Sequence, residues 1–308
     1  MAARTFLIVG ATGQQGSSVL SALSKLLSLS SFSSSPAPKI LALTRSAKSA
    51  KAQTLTTKYP QLNITVVEGD VKDPTPIFEA HPGINSVFAY TKPPNEEPQA
   101  IPLIDAAAAA GLSQIVFSSV ERGGDKRSWD NPTDVPHFLQ KHNIELHLKQ
   151  KAEQSHGKLD WTILRPTAFF DNLNPGTFGK VFASLWATMP ETTKLQLVSC
   201  RDIGLFAAKA LLEPEKWSGR AVGLAGDEMT LGEARNIYRR VVGRELPEAW
   251  GPVGQGVRWA IGDLSKMFNF FEKNGYGVDI KNLREEESEL QDFETWLKQS
   301  SKHEVRED

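Results

Sequence analysis

A short apolar run from Thr5 to Val9 stops abruptly at Gly10-Ala-Thr-Gly13-Gln-Gln-Gly16, and the residues after it, Ser17 to Leu27, have the composition of a helix. Strand, glycine turn and helix in that order leave few folds open. Gly10 permits the tight turn, Gly13 lets the backbone come close to a pyrophosphate, and Gly16 lets the helix pack near the strand. The helix then offers unpaired N–H groups and its positive dipole end to the phosphates. Gly10, Gly13 and Gly16, with Thr12, Gln14 and Gln15 between them, are therefore expected to bind a dinucleotide.

The motif opens a regular alternation. Short β-rich runs at Thr5 to Val9, Ile40 to Thr44, Ile64 to Glu68, Ser86 to Tyr90, Gln114 to Ser118 and Trp161 to Leu164 are separated by amphipathic or alanine-rich stretches. That rhythm predicts an α/β protein with a Rossmann-type, doubly wound parallel sheet covered on both faces. After Arg165-Pro166 the pattern changes, which divides the chain into a dinucleotide-binding domain over residues 1–166 and a smaller α/β cap over 167–308, interleaved with the main sheet. Ser28 to Pro38, rich in serine and ending in Pro-Ala-Pro, reads as an exposed, mobile loop. In the cap, Thr230-Leu-Gly-Glu233 reads as a capping box. Leu290, Phe293 and Leu297 at helical spacing predict one amphipathic helix from Leu283 to Lys298.

Charge and composition narrow the partners. A net charge of −1 over 308 residues leaves no basic field for a nucleic-acid backbone. No apolar stretch reaches membrane-spanning length, and Phe6 to Val9 is too short for a signal peptide. The single cysteine, Cys200, rules out an internal disulfide framework and fits a reducing compartment, so a cytoplasmic location is expected. The six histidines form no pair at metal-ligand spacing with acidic company, and no metal is expected.

An NAD site commonly ends its second strand with an acid that binds the ribose 2′-hydroxyl. This chain has Thr44-Arg45-Ser46 there, followed by Lys48 and Lys51. Arg45 is suited to stack on adenine and pair with a 2′-phosphate, assisted by Lys48, so the expected cofactor is NADP(H). Ligands lie at the carboxyl ends of the strands in such sheets, which places Asp70 and Val71 beside the adenine and Thr91 and Lys92 on the cofactor side.

The glycine run, with Thr44-Arg45, Pro136-His137-Phe138-x-x-Lys141, Trp161-Thr-Ile-Leu-Arg165-Pro166 and Arg201-Asp202-Ile203-Gly204, resembles the NmrA-like family of atypical short-chain dehydrogenases/reductases. The resemblance continues through Leu224-Ala-Gly-Asp-Glu-Met-Thr230 and Gly275-Tyr-Gly-Val-Asp279, spans nearly the whole chain, and is strongest to the fungal branch. It implies a Rossmann fold, NADP(H) binding, and one of two functions. One is an oxidoreductase acting on small organic substrates, with secondary metabolism as a setting. The other is a non-enzymatic sensor of the NADPH/NADP+ ratio that binds a regulatory protein. The oligomeric state is left open.

The departures from the wider superfamily bear on that choice. Its Tyr-x-x-x-Lys pair, in which lysine activates a phenolic proton donor, is absent: Tyr59, Tyr90, Tyr238 and Tyr276 are the tyrosines, and His137-x-x-x-Lys141 stands in the corresponding segment. Lys141 suits either the nicotinamide ribose or proton donation, and His137 either catalysis or packing. Ser118 and Ser119, ending the fifth strand, are placed to hydrogen-bond substrate or nicotinamide, and Ser119 joins His137 and Lys141 as a candidate catalytic residue. A second His147-x-x-x-Lys151 spacing lacks the flanking match. Gly123-Gly124 reads as a mobile loop over the site, and Phe169, Phe170 and Trp186 read either as core aromatics, the commoner use of such residues, or as a lid on a fairly apolar carbonyl, enone or imine substrate.

Overall fold

Glycine and proline punctuation sets the elements almost where the apolar runs imply. In the computed structural model, which describes residues 3–29, 36–249, 254, 256, 258 and 262–306, the first six strands are β1 (Thr5–Ile8), β2 (Lys39–Thr44), β3 (Asn63–Glu68), β4 (Ser86–Tyr90), β5 (Gln114–Ser118) and β6 (Asp160–Pro166). Between them run α1 (Gln14–Leu27), α2 (Ala50–Gln53), α3 (Leu55–Lys58), α4 (Thr75–Ala80), α5 (Glu97–Ala109), α6 (Asp125–Asp130) and α7 (Pro136–Gln154). There follow β7 (Ala168–Phe169), α8 (Thr177–Trp186), β8 (Leu195–Val198), α9 (Cys200–Leu212), α10 (Pro214–Trp217), β9 (Arg220–Leu224), β10 (Asp227–Met229), α11 (Leu231–Val242), α12 (Gly262–Lys273), α13 (Ile280–Glu286) and α14 (Phe293–Gln299). Of the expected Ser28 to Pro38 loop, residues 30–35 lie outside the described residues.

Contacts divide the chain into two discontinuous units. The first comprises Met1–Ser119, Gln140–Leu164 and Ile203–Val222. It carries a seven-stranded sheet in the order β3-β2-β1-β4-β5-β6-β9, in which β1 to β6 pair parallel. β5 is buried at every position and β2 at all but its first, as expected of strands covered on both faces. The chain runs outward from β1 through β2 to β3, then returns to the other side of β1 at β4. The strand ends on either side of this reversal, Gly10 beyond β1 and Tyr90 at β4, border the crevice where doubly wound sheets take their ligands. α9 lies against α1 so tightly that a Cβ on Gly204 would be 2.4 Å from the Ser18 carbonyl carbon.

The second unit comprises Val120–Leu139, Arg165–Asp202 and Gly223–Asp308, and holds a small sheet in the order β10-β8-β7. Its core is aromatic. Phe170 stacks on Trp296 and lies tilted against Phe293 at centroid distances of 5.7 and 5.5 Å, and Phe182 packs against Phe268. Of the two readings open to Phe170 and Trp186, core or lid over substrate, the structure has the core: both are buried in it, while Phe178 is exposed. The capping box forms as read: Glu233 N–H donates to Thr230 Oγ1 at 3.2 Å and Thr230 N–H to Glu233 Oε2 at 2.8 Å.

The helix expected over Leu283 to Lys298 is two short ones, α13 and α14. Distant carboxylates stabilise the break, because Gln291 N–H donates to Asp202 and Phe293 N–H to Asp227 at 3.0 and 3.1 Å. Asp292 then caps α14 by accepting from Thr295 N–H. Gly123 and Gly124 have positive φ, as a turn requires, but the turn is pinned: the buried Glu121 carboxylate accepts from the N–H groups of Gly123, Gly124 and Gly277. Among the described residues no helix is long and apolar enough to cross a membrane.

Candidate functional site

The glycine loop is tied to the strands beside it. Val9 N–H donates to Phe88 O of β4 and Ala11 N–H to Leu43 O of β2. Gly10 turns the chain at φ 60°, and Gly13 N–H closes the turn on Gly10 O at 2.8 Å. A Cβ on Gly16 would lie 2.3 Å from Gly10 O, so only glycine lets α1 start this close to β1. Gly13 occupies the N-cap position, no side chain among the described residues caps it, and the first turn carries no acid. Such a terminus presents unpaired N–H groups to an anion. Thr12 and Gln15 are half-buried and Gln14 is exposed, and Gln15 Oε1 is buried without a hydrogen-bond partner among the described residues. The cradle and the uncapped helix end fit a pyrophosphate.

Tyr90, which sequence reasoning did not single out, leans over this loop. Cβ atoms on Gly10 and Gly13 would meet its hydroxyl at 2.5 and 2.3 Å. Lys92 Nζ lies 5.8 Å from the centre of the Tyr90 ring, and its backbone N–H donates to Gln99 Oε1.

At the end of β2, Arg45 and Lys48 are exposed and Thr44 is buried. The acid missing from β2 itself arrives from β3. Glu68 stands opposite Thr44 in register and accepts from Ala47 N–H at 2.8 Å, two residues beyond Arg45. Asp70 accepts from Lys72 N–H through its side chain, closing its own turn, and leaves Val71 half-buried beside it.

Lys141 lies at the centre of the other cluster. Its Nζ donates to Glu96 Oε2 at 2.8 Å and to Thr91 Oγ1 at 3.0 Å, and the Thr91 hydroxyl in turn donates to Glu96 Oε2. All three residues are buried. The Lys141 ammonium also lies 5.6 Å from the centre of the Phe117 ring. An ammonium has three N–H donors, so one is left after these two bonds. Thr91, expected to face the cofactor, thus has its hydroxyl engaged by Lys141 and Glu96. Neighbouring residues of α7 hold the start of α5: Gln140 Oε1 accepts from Glu96 N–H, and Asn143 donates to Glu97.

One turn further along α7, Glu145 accepts the hydroxyl proton of Ser119, both residues being buried. Ser119 therefore keeps lone pairs but no proton for a substrate. Ser118 Oγ is buried with no partner among the described residues. His137 belongs to the second unit, half-buried, with its ring edge-on to Phe138 at 4.6 Å. The second His-x-x-x-Lys spacing is structural, since His147 and Lys151 both pair with Asp105 of α5 at 2.9 Å. Partial burial opposes ionisation of Asp105, but the bonds from Lys151 and His147 outweigh it and hold the carboxyl below its ordinary range. Glu96, Glu145 and Glu68 also escaped sequence reasoning. The spacing Lys141-x-x-x-Glu145 was the one available signal.

Fold and loop together define a Rossmann-type α/β protein. The chain belongs to the NmrA-like family, whose profile matches residues 2–297. Among solved structures it is similar to NmrA, a negative transcriptional regulator, in complex with NADP, with a TM-score of 0.68 at 18% identity over 98% of this chain and 96% of that one. It is also similar to the triphenylmethane reductase of Citrobacter sp. complexed with NADP(H), with a TM-score of 0.68 at 17% identity over 95% and 98% of the two chains. A third similar structure is the NADPH-dependent quinone oxidoreductase QOR2 of Escherichia coli complexed with NADPH, with a TM-score of 0.67 at 21% identity over 94% and 97%. No curated protein sequence matches the chain significantly.

Proposed function

We propose that this protein binds NADP(H) along the carboxyl ends of β1, β2 and β4 and is an NADPH-dependent reductase of a small organic carbonyl, enone or imine. One observation carries the reading: consecutive residues of β4's end touch both halves of the site. Tyr90 lies on the glycine loop and Thr91 on Lys141. A dinucleotide with its pyrophosphate on the loop extends past Tyr90 toward Lys141. Three structural relatives crystallised with NADP or NADP(H) support the choice of cofactor.

In this reading Gly10, Thr12, Gly13, Gln14, Gln15 and Gly16 cradle the pyrophosphate, and Arg45 with Lys48 takes the 2′-phosphate. Asp70 and Val71 border the adenine, and Lys92 flanks the loop from β4. When bound, NADPH supplies a hydride. Lys141 directs its remaining N–H at the nicotinamide ribose or at the substrate atom that gains negative charge. Ser119 accepts rather than donates, because its proton goes to Glu145. His137 is the remaining candidate proton donor from the sequence.

A second reading, an NADP(H) sensor that presents its bound state to a regulatory protein, draws on that same hydroxyl. With the Ser119 proton taken by Glu145 and a histidine rather than a tyrosine at position 137, neither of these two positions offers a hydroxyl proton for carbonyl reduction. Absorbance-monitored oxidation of NADPH against aldehydes, quinones, enones and imines, run after fluorescence titration, separates the two. Turnover establishes the reductase; tight binding without turnover on any substrate supports the sensor.

A further inference from the structure

We propose that Glu96, acting with Thr91, is a positioning residue that fixes the Lys141 ammonium toward the dinucleotide; this rests on the reading that Lys141 meets the cofactor. The three side chains form a closed ring of hydrogen bonds. Lys141 Nζ donates to both partners, and the Thr91 hydroxyl, while accepting from lysine, donates to the carboxylate oxygen that lysine also uses. Each partner comes from a different element: Thr91 from the end of β4, Glu96 from the residue before α5, Lys141 from α7. A long lysine side chain that is free to rotate samples many positions, and this ring leaves it one.

The cluster is a poor device for stability alone. Glu96 is fully buried and Lys141 8% exposed, and ion pairs withdrawn from water this far recover little of their desolvation cost. Glu96 Oε1 is moreover buried without a hydrogen-bond partner among the described residues, so half of the carboxylate's capacity is unused. The oxygen that is used is the one on the lysine. Glu96 is itself held, its N–H bonded to Gln140, the residue beside Lys141. The carboxylate and the ammonium it orients are therefore fixed to the same turn of α7.

The test is a fluorescence titration of NADPH into the protein and its Lys141→Met, Glu96→Gln, Thr91→Val and Thr91→Ser variants and the Glu96→Gln/Lys141→Met double variant, with melting curves confirming that each folds. Glu96→Gln and Lys141→Met are each expected to weaken NADPH binding by about tenfold, the scale of one charge-assisted hydrogen bond. Adding Glu96→Gln to Lys141→Met should change nothing further. Thr91→Val should weaken binding, and Thr91→Ser, which keeps the hydroxyl, should restore it. Equal weakening by Glu96→Gln with and without Lys141 overturns the proposal in favour of a structural role. So does wild-type affinity in Glu96→Gln when Lys141→Met is weakened. Unchanged affinity in Lys141→Met instead refutes the reading that lysine meets the cofactor, and the positioning role falls with it. Should Glu96→Gln fail to fold, the Thr91→Val and Thr91→Ser pair decides alone.

Discussion

Gly16 in the first turn of α1 packs directly on Gly10, with space for a hydrogen and none for a methyl: a Cβ would sit 2.3 Å from the Gly10 carbonyl oxygen and 2.9 Å from the Ala11 Cα. The contact is backbone on backbone, so no side chain can rotate away. Gly16→Ala is expected to lower stability by about 1–3 kcal/mol, the range for overpacking, and to displace the helix end from the phosphate position. Urea unfolding and NADPH titration measure both. Gly83, whose Cβ would meet nothing within 4 Å, supplies the control, and Gly83→Ala should leave affinity unchanged.

Arg45 is exposed beyond β2, while the nearby Glu68 carboxylate is engaged by Ala47 N–H. In the proposed binding mode Arg45 is the principal cation for a 2′-phosphate there. Arg45→Glu should weaken NADPH by about tenfold or more while leaving NADH unchanged or improved, reversing the preference. Parallel titrations with the two nucleotides check this. Identical affinities for both, before and after the substitution, remove Arg45 from the site.

Thr230 caps α11 in the second unit through a reciprocal pair of bonds with Glu233. Thr230→Ala should cost about 1 kcal/mol in urea unfolding, the usual value for a lost N-cap. NADPH affinity should not change, because every residue assigned here to the nucleotide lies in the first unit. A matching loss of affinity contradicts that assignment.

The sheet was legible because β-rich runs such as Gln114 to Ser118 are bounded by glycine or polar residues, and local pattern decides where such strands begin and end. The glycine loop was legible for the same reason, and the structure adds the contact that makes Gly16 obligatory. The break between α13 and α14 was hidden, since Asp202 and Asp227 create it from far along the chain. Glu96 was hidden likewise. Its sequence neighbourhood is that of an ordinary first-turn acid, and only packing α7 against α5 brings Lys141 to it. Aromatic clustering around Phe170 and Trp186 does not distinguish pocket from core in sequence, and the structure places both in the core.

His303 anchors the C-terminal segment. Its Nε2 donates to Leu173 O at 2.9 Å, which leaves Nδ1 to accept the Tyr238 hydroxyl at 3.0 Å. Burial dominates, ahead of the Leu173 bond that pulls the other way, and holds the imidazole below its ordinary value of 6.5. The unfolded chain therefore binds more protons on the acid side. The contribution of His303 is fully present above the unfolded value and is lost as pH falls from there through the lowered folded one. Melting temperatures from about pH 7.5 to about pH 5 should fall less steeply in His303→Gln than in the wild type. Parallel curves contradict this.

The most direct test of the central claim is fluorescence titration of NADPH and NADH into the wild type and the Gly13→Val variant. NADPH should bind the wild type saturably and more tightly than NADH, and Gly13→Val should abolish binding by filling the loop while the protein still melts cooperatively. Absence of NADPH binding to the folded wild type, or unaltered binding in Gly13→Val, contradicts the assignment of the glycine loop as the pyrophosphate site.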